Sequence, residues 1–168
     1  MAIRASAAFI ERSAPHATSP EPLAMMRRFA FLAALLCAGA CARATRPLVE
    51  FKPGPQPGPF SPAVRVDHLL FLAGKVGTDS DGRLVSGGIR AETRQVMENI
   101  RAELQRNGTS MDRVVKCTAF LADMGEWGTM NEVYATFFPG PKPARSALGA
   151  NGLALNARVE IECIAVVD

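Results

Sequence analysis

Arg145 opens a short strand-like stretch, "PARSALG" (143–149), directly after a run through Pro139, Pro141 and Pro143. No carboxylate stands beside it in sequence. A guanidinium is planar and permanently charged, and it is best satisfied by two parallel hydrogen bonds to one anion. Its partner has to come from elsewhere, either a carboxylate of the protein across an interface or an anion that binds. The final strand, "VEIECIAV" (159–166), sends Glu160, Glu162, Ile164 and Val166 to one side and Val159, Ile161, Cys163 and Ala165 to the other. A face that mixes carboxylates with Ile and Val is too apolar to stay in water if helices cover the opposite side. It is expected to bury against another subunit.

The elements that carry these residues are legible. "AVRVDHLLFLAGKVG" holds two short apolar runs about Asp67-His68 and predicts a hairpin. "TDSDGRLV" has turn chemistry at Asp81-Gly82. Ile89, Val96, Ile100 and Leu104 follow a helical period that stops at Asn107-Gly108. "RVVKCTAFLAD" predicts a strand in which Val115, Cys117, Ala119 and Leu121 share one face. Trp127, Met130, Val133, Tyr134, Phe137 and Phe138 form the stripe of a second helix, which ends at Pro139-Gly140. Strands over about 144–149 and 158–167 close the chain. This order predicts an α+β sandwich, a mixed sheet with both helices on one face.

The remaining composition excludes more than it assigns. Of 168 residues, 48% are hydrophobic and 21% charged, within the range of globular proteins. The net charge of +3 is unevenly placed. Residues 1–46 hold six arginines against two glutamates, so the remaining chain carries 13 cations and 14 anions. That balance offers a phosphate backbone nothing, and no nucleic acid is expected as partner. Residues 1–24 show no sustained period and are expected to be disordered or to precede the true start at Met25 or Met26. "MMRRFAFLAALLCAGAC" (25–41) has the layout of a secretory signal: two arginines, an apolar run too short to span a bilayer, and small residues before a break. "AGAC" resembles a lipoprotein box with Cys41 as the lipidation site, although Ala38 stands where Leu is usual. The expected location is periplasmic, with the membrane reached only through that lipid. A cytosolic protein is the alternative. Residues 42–58 are rich in Pro and Gly and predict a flexible tether, with the domain at 59–168. Cys117 and Cys163 fall inside apolar strand runs and are expected to be buried thiols; an oxidising compartment would allow them to pair, but no spacing argues for it.

Other motifs reduce to structure. His16 and His68 are too scattered for a catalytic triad or a metal site. "VSGGI" lacks a P-loop lysine and a dinucleotide fingerprint, and predicts a turn before a helix. "TDSDG" lacks the later glutamate of a calcium loop. The Trp127, Tyr134 and Phe137 stripe is expected to be core.

In order and spacing, "GPFSPAV", "LFLAGKVG", "GGIRAETRQVMENIRAEL", "VVKCTAFLADMGEWGTMNEVYATFF", "PARS" and "VEIECIAV" resemble the RidA family (also called YjgF, or the reactive intermediate/imine deaminases) over about residues 57–167. The resemblance implies a chorismate-mutase-like homotrimer with clefts between subunits. It implies hydrolysis of enamines and imines to keto acids and ammonia, with neither metal nor cofactor. By position, it puts the carboxylate-binding arginine at Arg145 and the glutamate that holds the attacking water at Glu160. Asn131, Gly74 and Phe60 fall on the substrate-binding positions. The family has also been linked to RNA cleavage, against which the charge balance argues.

The chain departs from the family pattern at three polar positions. Phe60 replaces a frequent tyrosine, Ala73 a serine and Ala147 a cysteine. Two readings follow: an imine/enamine deaminase, and a non-catalytic trimer that binds small carboxylates in the same clefts.

Overall fold

The computed structural model describes residues 48–54 and 58–168. The stretch 1–24, the signal-like run 25–41 and Cys41 lie outside the described residues. The strands are β1 (Val49–Lys52), β2 (Ala63–Val66), β3 (Leu69–Leu72), β4 (Lys75–Val76), β5 (Val114–Leu121), β6 (Ala144–Gly149) and β7 (Val159–Val166). The helices are α1 (Gly88–Arg106) and α2 (Trp127–Ala135). One sheet runs β1-β2-β3-β7-β5-β6, with β4 also paired to β7. Every pairing is antiparallel except β5 with β6. The chain is therefore the mixed α+β sandwich that the order of elements predicts.

The hairpin turns where the sequence places it. Asp67 takes a positive φ of 50°, and its carboxylate accepts the Leu48 N–H at 2.9 Å. That contact anchors β1, which pairs with β2 from Val49↔Val66 to Lys52↔Ala63. Within the stretch 42–58, expected to be a flexible tether, Val49–Lys52 is thus a sheet strand instead. The "VEFK" run lies between Pro47 and Pro53 and contains no proline, so it keeps its N–H groups and completes the sheet edge.

Helix α1 is capped by Gly87 and begins at Gly88, both at positive φ (113° and 72°), a conformation that favours glycine and lets the chain turn sharply into the helix. Its face at Val96, Ile100 and Leu104 is fully buried against the sheet. Helix α2 adds Met130, Val133 and Tyr134, with Phe137 and Phe138 just beyond its end. Trp127, expected in that stripe, is 44% exposed. It is the first residue of α2, and the short helix meets the core only from its next turn.

Strand β5 corrects a second expectation. A register shift between Val114 and Lys116 inserts one extra residue. It turns Val114 into the core and leaves Val115 46% exposed. From Cys117 onward the predicted alternation holds. Cys117 lies opposite Cys163 on β7, with Cα atoms 4.1 Å apart, and the two form a disulfide rather than buried free thiols. The strand runs alone could not disclose this, because it follows from the pairing of β5 with β7.

Strand β7 is central and buries Val159, Ile161, Cys163 and Ala165 beneath the helices. Among the described residues the other face has no covering layer. Cross-strand register lines up Phe51, Val64, Phe71 and Ile164 there, and beside them Val49, Val66, Leu69 and Val166. The apolar character predicted from β7 thus extends across four strands.

Candidate functional site

Arg145 sits on the outer strand β6, paired with Cys117, which is itself opposite Cys163. Directly paired residues point to the same side of a sheet, so Arg145 lies on the helix side. Its guanidinium carbon is 4.6 Å from the centroid of the Tyr134 ring, and Nη1 lies 3.9 Å from Met130 Sδ. Stacking on an aromatic face suits arginine and leaves the fork of N–H donors free to meet an anion. Among the described residues, Arg145 forms no ion pair with a carboxylate.

A hollow of about 260 Å³ opens there, lined by Asn131, Tyr134, Ala135, Lys142, Pro143 and Arg145. Asn131 Oδ1 and the Tyr134 hydroxyl are buried and have no hydrogen-bond partner among the described residues. Burial pushes the Tyr134 phenol up to about 12, against the opposing pull of the Arg145 charge. The phenol therefore stays neutral around neutral pH. The pattern joins two cations, two polar groups without partners and no carboxylate in the lining.

Glu160 belongs to the opposite face. It pairs with Phe120 on one side and Val76 on the other. Its side chain occupies the space beside Gly74, where a Cβ would fall on the carboxylate. Glycine is required there by close approach rather than by backbone angle. Strand β4, which follows Gly74, is pinned from the other layer. Lys75 Nζ meets the buried Glu103 carboxylate at 3.2 Å, and Asn99 donates to the Val76 and Thr78 carbonyls at 3.1 and 3.0 Å. The entry to β7 is held too, since buried Glu92 accepts the Arg158 N–H at 2.7 Å. Gly74 also lines a cleft of about 440 Å³ with Phe60, whose ring is 68% exposed.

The five residues expected to form the site thus fall into two groups. Arg145 shares its hollow with Asn131, while Glu160 adjoins Gly74, which shares a cleft with Phe60. Within one chain the groups do not meet. Sequence reasoning placed Tyr134 in the core, where it is, but missed that its ring carries Arg145. It also missed Lys142 altogether. Only the seating of β6 beside α2 reveals both, although the bracketing of Lys142 by Pro141 and Pro143 is visible in the sequence.

Comparison with known proteins places this geometry in a wider set. The family model described as endoribonuclease L-PSP matches residues 53–167. A 2-iminobutanoate/2-iminopropanoate deaminase of Mus musculus is 46% identical over 110 residues, covering 65% of this chain and 82% of its own length. The crystal structure of RidA from an Antarctic Psychrobacter superposes with a TM-score of 0.64 at 31% identity, over 73% of this chain and 99% of its own. Escherichia coli TdcF, crystallised with bound serine, superposes with a TM-score of 0.63 at 28% identity, over 72% and 98% of the two chains.

Proposed function

The chain belongs to the endoribonuclease L-PSP (RidA/YjgF) family, and from that membership we propose that it is an imine/enamine deaminase acting in clefts between the subunits of a homotrimer. The observation that carries this reading is the separation of Arg145 from Glu160. They stand on opposite faces of one sheet, each beside groups suited to half of a site. The uncovered apolar face supplies the driving force for assembly, since eight aliphatic or aromatic side chains share it. A heterologous contact that closes on itself as a ring would bring the Arg145 hollow of one copy to Glu160 of the next.

In such a cleft Arg145 holds the substrate carboxylate in two-pronged fashion, and the Tyr134 ring behind it fixes the plane of the guanidinium. Glu160 positions a water and takes up its proton. The water oxygen bonds to the C=N carbon as the C=N π bond breaks, and the nitrogen takes the proton back from Glu160 to give a carbinolamine. The C–N bond then breaks as the hydroxyl proton passes to nitrogen and C=O forms, so that ammonia leaves a 2-oxo acid. An enamine first gains a proton on carbon to become the imine. No electrons are exchanged. Since imines hydrolyse readily, orientation and proton transfer account for the expected acceleration. Phe60, Ala73 and Ala147 in place of hydroxyl and thiol groups leave the arginine and glutamate as the principal polar contacts.

The test is a coupled assay in which amino-acid oxidases generate imines from several amino acids, with disappearance of the imine followed with and without the protein. Faster loss supports the reading. Unchanged decay with every imine, from a protein that still binds 2-oxo acids, would favour a carboxylate-binding trimer without catalysis.

A further inference from the structure

We infer that the Arg145 hollow selects substrates carrying a second negative charge, with Lys142 as the residue that recognises it. The inference rests on the deaminase reading and names its substrate class: imines of acidic amino acids, hydrolysed to 2-oxo diacids and ammonia. Its basis is the charge of the lining. Of the six residues around the hollow, Arg145 and Lys142 are cationic and none is a carboxylate. Among the described residues neither cation belongs to an ion pair, a state they share with Arg65, Arg94 and Lys116, whereas Lys52, Lys75, Arg83, Arg90, Arg101, Arg106, Arg113 and Arg158 are all paired. One carboxylate satisfies one guanidinium. A hollow with two cations is electrostatically complete only with two anionic groups.

The placement of Lys142 strengthens the point. Pro141 and Pro143 flank it, and their fixed φ angles limit the freedom of the loop that carries it. Its ammonium is a compact charge on a long flexible stem, suited to a carboxylate whose position varies with side-chain length. Arg145 is the opposite, a planar fork stacked on a buried ring. The two cations thus divide the work. Arg145 fixes the carboxylate next to the reacting carbon, and Lys142 reaches for the distal one.

The experiment compares binding of 2-oxoglutarate and 2-oxopentanoate, equal in chain length and differing in one carboxylate, by calorimetry on the assembled protein. The unaltered protein should prefer the diacid about three- to five-fold, as expected for an ion pair open to solvent. The preference should shrink with added salt. Lys142→Ala and Lys142→Gln should both bring the ratio towards one, and Lys142→Glu should turn it in favour of the monoacid. The same ratio should appear in turnover of imines generated from aspartate or glutamate compared with alanine or leucine. Equal binding of the two acids by the unaltered protein, or a preference that survives Lys142→Ala, would overturn the inference. If no imine is turned over, the deaminase reading fails, while the binding ratio still decides the role of Lys142.

Discussion

Arg145 and Glu160 project from opposite faces of one sheet, so within a single chain they cannot share a ligand. The register separates them by two strand steps and three residues, which puts their Cα atoms roughly 14 Å apart before side-chain direction is considered. The cross-strand pairs decide the faces. Arg145 stands level with Cys117 on the helix side, and Glu160 stands level with Phe120 on the uncovered side.

This relationship makes complementation a sharp test of shared clefts. Arg145→Ala and Glu160→Ala chains should each be inactive, and refolding them together should restore activity. Random mixing in a cyclic trimer leaves roughly a quarter of the clefts with both groups intact, which sets the expected ceiling. No recovery from mixtures shown by light scattering to be trimeric would mean that the two residues do not serve one site. Arg145→Lys alone should also be largely inactive, because an ammonium cannot reproduce the two-pronged contact.

Gly74→Ala should damage the site and spare the fold. The added methyl competes with the Glu160 carboxylate for one space, while β4 remains tied to Glu103 and Asn99. Misplacing a group that transfers protons costs about 10²-fold or more in rate. The measurement is kcat/KM beside the thermal midpoint. A variant that keeps full activity would show that Glu160 can move aside without consequence.

Tyr134 is the sole tyrosine, so its titration can be followed by tyrosinate absorbance without overlap from another phenol. Its phenol lies near 12, raised by burial above the ordinary value of 10. The unfolded chain releases the proton first as pH rises, so stability is intact below about pH 10 and falls as pH climbs towards 12. Tyr134→Phe should remove this alkaline loss. Arg145→Ala should move the titration still higher, because the nearby cation is what opposes the effect of burial. A titration at the ordinary value would mean that the hydroxyl is open to water.

The Cys117–Cys163 disulfide joins the two central strands across 46 residues of sequence. Its removal by Cys163→Ser should lower stability by about 2–4 kcal/mol, as for loops of this class. Thiol titration of the denatured protein, with and without reductant, gives the redox state directly. Two protected thiols would accord with passage through an oxidising compartment, the setting in which such bonds persist. Unaltered thermal unfolding after full reduction would mean that the bond adds nothing to packing already made by the two strands.

Much of the fold was legible from period and punctuation. The Ile89–Leu104 spacing marks α1, Asp67-His68 marks the hairpin, and the alternation in "VEIECIAV" separates the buried face of β7 from the apolar, carboxylate-bearing one. These are local signals, because side-chain direction repeats every 3.6 or 2 residues whatever the chain does elsewhere. Arg145 and Glu160 were singled out by type and by resemblance, but their arrangement was not. Sheet order is non-local: β7 enters between β3 and β5, and β6 runs parallel to β5 at the edge. That order set Cys117 against Cys163, carried Arg145 onto the ring of Tyr134, and brought Lys142 to the same hollow. The bulge at Val114 and the "VEFK" strand escaped for a related reason. Both depend on a neighbouring strand to define register and pairing, and a one-residue slip reverses every face. Residue types thus determined what chemistry this chain can attempt, while only the pairing of distant strands decided which residues stand together.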